Sequence, residues 1–270
     1  MLTDTHCHLD FDNFDNERTE IIDRARNVGV VRILNPGINV LTSENALNLA
    51  QQYQEVYASV GVHPNEANSW NDETINRLRI LAAQPNVVAI GEIGLDYYRD
   101  RTPPEKQLTI FKSQLGLAGE LGLPVIIHTR NTSTGDQKAT SDAIKILTVW
   151  IEKLKESNSE MAACPGVLHS FSGDLILAHN AINLNFCLGI TGPVTFKNSD
   201  ELQQVVGSVP LKNLLIETDA PFLTPHPFRG KRNEPAYVKY VAEKIAEIQK
   251  LSYDVVIETS QINSERIFRW

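Results

Sequence analysis

The feature that most constrains this chain is an alternation repeated eight times: a short apolar run, then an amphipathic helical segment. The runs are Leu2–Cys7, Val30–Asn35, Val56–Val62, Val87–Ile93, Pro124–His128, Gly166–His169, Asn185–Ile190 and Leu214–Thr218. Short apolar runs of this kind read as parallel strands buried on both faces. Between them, apolar residues fall at helical spacing: Ile21, Ala25 and Val28; Leu108, Phe111, Leu115 and Ala118; Ala143, Leu147, Trp150 and Leu154. Strand and helix in strict alternation predict a parallel sheet. Eight repeats in 270 residues predict that the sheet closes. The fold class is therefore α/β, a single-domain TIM-type (β/α)8 barrel over residues 1–270, a fold that typically takes roughly 250 residues. A doubly wound open sheet would want a glycine-rich first turn, and 4–12 contains no glycine. Two more helices are expected after the eighth run, Tyr237–Lys250 and Tyr253–Phe268, the second capped by Ser252.

A parallel barrel carries its active site at the C-terminal ends of its strands. The first run ends in His6-Cys7-His8. Alternation along a strand would put the two imidazoles on one side and Cys7 on the other. An isolated H-x-H is more often a polar strand end than a metal site. Here the later runs end in His63, in Glu92, in His128, in His169 and in Glu217-Thr218-Asp219. Five of the seven histidines thus stand at strand ends, leaving His179 and His226 elsewhere. Imidazole with carboxylate suits zinc, manganese, iron or cobalt, and carboxylate with water suits magnesium. Four histidines and two carboxylates exceed what one tetrahedral ion needs, since a catalytic zinc commonly keeps three protein ligands. The surplus points to two divalent ions (Mg, Mn or Zn) sharing a carboxylate, an arrangement that activates water for hydrolysis. The residues alone lead to a metal-dependent hydrolase.

The net charge of −8 bears on partners. Proteins that wrap long nucleic acids draw most of their affinity from a basic surface. A nucleic-acid substrate is therefore expected to be gripped locally, at an end or as a short single strand. Three cysteines, Cys7, Cys164 and Cys187, are too few and too scattered for a disulfide framework and read as buried thiols. No run of about 20 apolar residues could span a bilayer, and no membrane partner is expected. The chain enters its first strand without a basic and apolar leader, so a cytoplasmic protein is expected, and a monomer.

Taken together, His6-Cys7-His8-Leu9-Asp10, Gly61-Val62-His63-Pro64, Gly91-Glu92-Ile93-Gly94-Leu95-Asp96-Tyr97, Pro124-Val125-Ile126-Ile127-His128, His169-Ser170-Phe171-Ser172-Gly173, Glu217-Thr218-Asp219-Ala220-Pro221 and Arg229-Gly230-Lys231-Arg232-Asn233-Glu234-Pro235 resemble, in order, the motifs of the TatD-type metal-dependent deoxyribonucleases of the amidohydrolase superfamily. Asn263 and Arg266 fit as well. The resemblance spans essentially the whole chain. It implies that His6, His8 and Asp219 hold one ion, that His128 and His169 hold the other, and that Glu92 bridges. It implies Asp219 and Glu92 as the catalytic carboxylates, Asp219 taking the proton of the attacking water. His63 would touch substrate or support the ligands, and Glu217 and Asp96 would be supports. Two departures stand out: Asn65 where the family often has a second histidine, and Phe228 where His or Tyr is more usual before Arg229.

The implied activity is phosphodiester hydrolysis, a 3'-5' exonuclease on single-stranded DNA or RNA ends. An ester or amide hydrolase, such as an aminoacyl-RNA deacylase, is the alternative, because the same metal site can serve attack on a carbonyl. His63, Asn65, Arg229 and Arg232 are the expected substrate-binding residues, with Gly230 allowing close backbone approach. One or more of Arg229, Lys231 and Arg232 is instead expected to pair with carboxylates such as Glu234. Tyr97 and Tyr98 either stack a base or pack beneath their loop. The polar connection Asn131–Thr140 is either a mobile loop over the site or a surface insertion.

Overall fold

The computed structural model describes residues 1–133 and 135–270. Eight strands form one sheet in sequence order: β1 Leu2–Asp4, β2 Val30–Pro36, β3 Val56–Val60, β4 Val87–Asp96, β5 Val125–Arg130, β6 Gly166–Leu168, β7 Cys187–Ile190 and β8 Leu214–Ile216. Every neighbouring pair is parallel. The ends of the sheet meet: Thr5 N donates to Ile216 O at 3.2 Å, Asp219 N to His6 O at 2.8 Å and His8 N to Ala220 O at 2.8 Å. The sheet is thus a nearly closed barrel. Around it run α1 Arg18–Asn27, α2 Val40–Gln52, α3 Thr74–Ala82, α4 Pro104–Leu121, α5 Lys138–Glu156, α6 Leu175–Asn183, α7 Asp200–Ser208, α8 Val238–Gln249 and α9 Tyr253–Phe268.

Alternation along each strand divides the core in two. One face, including Ile33, Ile127, Leu188 and Ile216, packs with the helices in the main cluster. The other, including Leu34, Ile126, Val167, Cys187 and Leu215, forms a separate cluster along the barrel axis. Ile267 and Phe268 from the end of α9 join that inner cluster, with Trp270 against it, and close the N-terminal end of the barrel. Local chemistry fixes where helices begin. Asn39 and Thr42 form a reciprocal capping box at α2. Asp174 accepts from Leu177 N at the start of α6, and Ser252 from Val255 N at the start of α9.

All eight strands differ from their expected runs by one to three residues at one end or both, and two of the differences bear on the site. β1 stops at Asp4, so His6-Cys7-His8 lies just beyond it, held by the backbone bonds to Asp219 and Ala220 on one side and from Cys7 N to Leu34 O, 2.9 Å, on the other. β4 runs on to Asp96, and all ten of its residues are buried. Gly94 makes that extension possible: a Cβ there would sit 2.1 Å from His128 O, so only glycine lets β4 and β5 lie this close. All three cysteines are free thiols, Cys7 and Cys187 buried and Cys164 partly so. Among the described residues no helix is long and apolar enough to cross a membrane.

Candidate active site

The strand ends converge on a cavity of about 780 Å³ at the C-terminal mouth of the barrel, lined among others by His8, His63, Glu92, His128, His169 and Asp219. Glu92, only 3% exposed, is the hub. Its two oxygens face different partners. Oε2 lies 3.5 Å from His6 Nε2 and 3.8 Å from His8 Nε2. Oε1 accepts from His128 Nδ1 at 2.7 Å and lies 3.8 Å from both His169 Nε2 and His63 Nε2. Asp219 completes the first group, with Oδ1 at 3.8 Å from His6 Nε2, 3.6 Å from His8 Nε2 and 3.7 Å from His169 Nε2. The His6 and His8 Nε2 atoms are 3.3 Å apart, so both imidazoles serve one point although β1 has already ended. Asp219 itself has φ +55°, a conformation aspartate tolerates better than most residues.

Supporting contacts aim these groups. His169 donates its Nδ1–H to the buried Glu217 at 2.9 Å, which turns Nε2 toward Glu92 and Asp219. Gly189 leaves room for Glu217: a Cβ there would fall 2.2 Å from its Oε1. Asp4 accepts from the Thr218 hydroxyl at 2.6 Å and backbone at 2.9 Å, tying the first strand to the segment that carries Asp219. Sequence reasoning passed over Asp4, though it stands two residues before His6 in the same run. His63 Nδ1 accepts from Asn65 N at 3.0 Å, so the neutral ring carries its hydrogen on Nε2, the atom facing the cavity.

Burial opposes charge at every one of these groups, and the neighbours decide the outcome. Burial lowers His169 and His128, but Glu217 and Asp219 for the first, and Asp96 and Glu92 for the second, outweigh it and push each up to about 9. His63 is lowered to about 3 by burial and by nearby His128. His6 is lowered by burial and by His169. Burial would raise Glu92 and Asp219, yet surrounding imidazoles hold both below the usual carboxylate range. Asp4 is raised to about 8 by burial, against its Thr218 bonds.

This donor set fits divalent cations. Among the described residues no lysine or arginine pairs with Glu92 or Asp219; their partners are imidazoles alone. The Nε2 atoms of His6 and His8 face each other and the two carboxylates, and the buried Nε2 of His128 has no hydrogen-bond partner. Donor separations of 3.3–3.8 Å around the first group match the edges of a tetrahedron whose ligands stand about 2.0–2.3 Å from its centre. Among the described residues three groups could hold an ion: His6, His8 and Glu92; His63, Glu92 and His128; and His6, His169 and Glu217. His128 and His169 do not approach directly, their ring centroids being 6.5 Å apart, and meet only through Glu92 Oε1.

The expected substrate residues fare differently. His63 and Asn65 line the cavity, although the Asn65 amide nitrogen is engaged with Asp96 Oδ2 at 2.8 Å. Arg229 and Arg232 do not line it. Arg229 covers the Phe196 ring at 4.3 Å, while Arg232 bonds Asn13 O and Glu17 and stacks over Phe14. Glu234 pairs with Arg24 rather than with this loop's own cations. Three other arginines stand at the mouth: Arg99, Arg101 and Arg130. Arg130 carried a sequence signal that went unread, since it lies two residues after His128 on one strand and so shares its side of the sheet. Tyr97 packs against the core and bonds Asp142, whereas Tyr98 is 54% exposed beneath Arg130. Phe228 stacks on Tyr237 at 4.5 Å. The 131–140 connection is pinned by Asn131, whose Oδ1 accepts from Ala139 N; Thr134 lies outside the described residues, and none of the described ones in this loop lines the cavity.

Comparison with known proteins agrees with this arrangement. Residues 3–269 match the family described as TatD related DNase. The chain is 42% identical over 269 residues to the metal-dependent hydrolase YabD of Bacillus subtilis (strain 168), covering 100% of this chain and 99% of that one. It is 35% identical to the 3'-5' ssDNA/RNA exonuclease TatD of Erwinia tasmaniensis, with 98% of each covered. Among solved structures, YJJV, a TatD homolog from Escherichia coli K12, superposes with a TM-score of 0.89 at 30% identity, over 100% of this chain and 98% of that one. The chain therefore belongs to the TatD related DNase family and is a metal-dependent hydrolase.

Proposed function

We propose that the protein is a phosphodiesterase that uses two divalent ions to remove nucleotides from the 3' ends of single-stranded DNA or RNA. One observation carries this reading: the two oxygens of Glu92 are turned toward different imidazole groups, as a carboxylate shared by two ions requires. His6, His8 and Asp219 would hold one ion, and His128 and His169 the other. When bound, such ions lower the pKa of water and neutralise charge on phosphoryl oxygens.

The chain's own residues then divide the work. Asp219, ionised because imidazoles hold its carboxyl down, accepts the proton of the attacking water. Glu92 keeps the two groups in register. His63 offers its Nε2–H to a phosphoryl oxygen, a donor's role that its Nδ1 contact with Asn65 N favours over that of a ligand. Its lowered pKa keeps the ring neutral at physiological pH, so it binds by hydrogen bonding and adds no charge. The arginines at the mouth supply the local positive charge that the chain as a whole, at −8, lacks. That side of the mouth favours an anionic substrate over a neutral ester.

The test is a 5'-labelled single-stranded oligonucleotide incubated with the protein after chelation and reloading with Mg²⁺ or Mn²⁺. A ladder shortening from the 3' end, two ions per chain by elemental analysis, and a loss of at least about a hundredfold on Glu92→Gln are expected, the last in line with losses seen when metal-site residues are altered. A fully loaded protein that releases no nucleotide would sink the reading.

A further inference from the structure

The mouth of the cavity is lopsided. β1 and β8 are neighbours through the barrel closure, and β4 and β5 lie across the barrel from them. On the β1/β8 side stand two aromatic rings. Phe11 stacks on His8 at 4.5 Å and 18°, and Phe222 meets Phe11 edge-on at 6.0 Å and 75°. Phe222 is 51% exposed, an unusual place for a phenylalanine, yet its backbone is pinned. Phe222 O accepts from the Asn233 side chain at 2.6 Å, and the same amide donates to Thr218 O at 2.8 Å. The ring is thus held out over the mouth by a buried anchor.

On the β4/β5 side stand the cations. Arg99 and Arg130 line the cavity, and among the described residues neither pairs with a carboxylate within 4 Å. Most other arginines of the chain do, including Arg18, Arg24, Arg26, Arg32, Arg79 and Arg232. Arg101 has only a distant Glu66 contact, 3.9 Å. The Arg130 guanidinium lies over the Tyr98 ring at 4.2 Å, a contact made through the ring face that takes up none of its N–H donors. Glu66 and Glu201 also line the cavity, so the unpaired arginines mark one side of a mixed rim rather than a uniformly basic one.

We propose that a single strand crosses this mouth in one direction. The base of the 3'-terminal nucleotide rests against Phe11 and Phe222, the scissile phosphate sits over Glu92 and Asp219, and the upstream phosphates run across Arg99, Arg101 and Arg130. The direction follows from charge. A departing terminal nucleotide brings one base and no phosphate beyond the scissile one. The upstream chain brings a phosphate with every nucleotide and therefore needs the cations. This path rests on the reading of the protein as a single-strand exonuclease and adds which wall takes which part of the substrate.

The experiment compares a twelve-nucleotide DNA ending in a normal 3' nucleotide with one ending in an abasic 3' residue, using the full-length protein loaded with Mn²⁺. Wild type should favour the base-bearing end. Phe222→Ala should reduce that preference about fivefold or more, the range expected when an aromatic stacking partner is removed, while Phe222→Tyr should retain it. Separately, Arg99→Ala/Arg130→Ala should flatten the salt dependence of KM for the twelve-mer, by about 0.7 in log–log slope for each phosphate that is no longer neutralised. It should also narrow the advantage of the twelve-mer over a dinucleotide. Hydrolysis that persists while Phe222→Ala keeps the terminal-base preference, or while the arginine variant keeps the wild-type salt slope, overturns the strand path alone. Exchange of the two effects between the two variants overturns its direction. Absence of hydrolysis in wild type as well overturns the functional reading and the path with it.

Discussion

Glu217 does not itself line the cavity, yet it decides which nitrogen of His169 faces the centre. A carboxylate behind a ligating imidazole fixes its tautomer and raises its basicity. Glu217→Gln should therefore weaken divalent-ion affinity by about 10–100-fold with the fold retained by circular dichroism; an unchanged dissociation constant in chelator competition would contradict this. Protonation adds a second expectation. His128 and His169 are both raised to about 9 from 6.5 in the ion-free protein, so ion uptake has to displace their protons. Apparent affinity should rise from pH 6.5 to 9, and calorimetry in buffers of different ionisation enthalpy should read net proton release. The same shifts act on stability. A histidine whose folded pKa lies above its unfolded one stabilises fully below about 6.5 and loses that contribution as pH climbs through about 9. The ion-free protein should melt progressively lower across that window, and a flat Tm there would count against the assignment.

At the scale of elements, the barrel places chemistry by ending strands rather than by the strands themselves. β1 is three residues long, and His6 and His8 converge only because the closure to β8 holds the segment beyond it. Helix starts are set locally and independently of the site. Ser252, whose hydroxyl accepts from Val255 N, caps α9 on its own. Ser252→Ala should cost about 1 kcal/mol of stability, read as a lower denaturation midpoint. Hydrolysis should stay within twofold of wild type, because the cap lies away from the cavity. A loss of activity matching the loss of stability would show that α9 is coupled to the site.

The whole molecule depends on filling two cores at once, one between barrel and helices and one along the axis. The inner core is small and is closed from below by α9, with Phe268 buried among Leu34, Ile126, Val167 and Leu215. Phe268→Ala should cost about 3–5 kcal/mol through the cavity it leaves. Equilibrium denaturation measures this directly; a cost below about 1 kcal/mol would mean that the bottom of the barrel collapses to fill the gap. Because the inner core lies below the strand ends that carry Glu92 and His128, the site inherits its rigidity from packing that contributes no ligand.

How much of this could be read from the chain depends on whether the governing interactions are local. Eight apolar runs alternating with helical periods determined the barrel, since burial on both strand faces and an apolar stripe on each helix leave few ways to pack. That His6, His8, Glu92, His128, His169 and Asp219, the proposed ligands, would gather was legible because each stands at or just beyond the end of an apolar run, and a parallel barrel brings all such ends to one mouth. The sequence could not say that Glu92 splits its oxygens between two imidazole groups, that Asp4 reaches across to Thr218, or that Arg229 and Arg232 turn away while Arg99 and Arg101 join Arg130 at the rim. Those outcomes depend on rotamers and on contacts between residues more than 200 positions apart, as in Asp4–Thr218. A motif states which side chains are near the mouth; only closure of the barrel decides which of them face it.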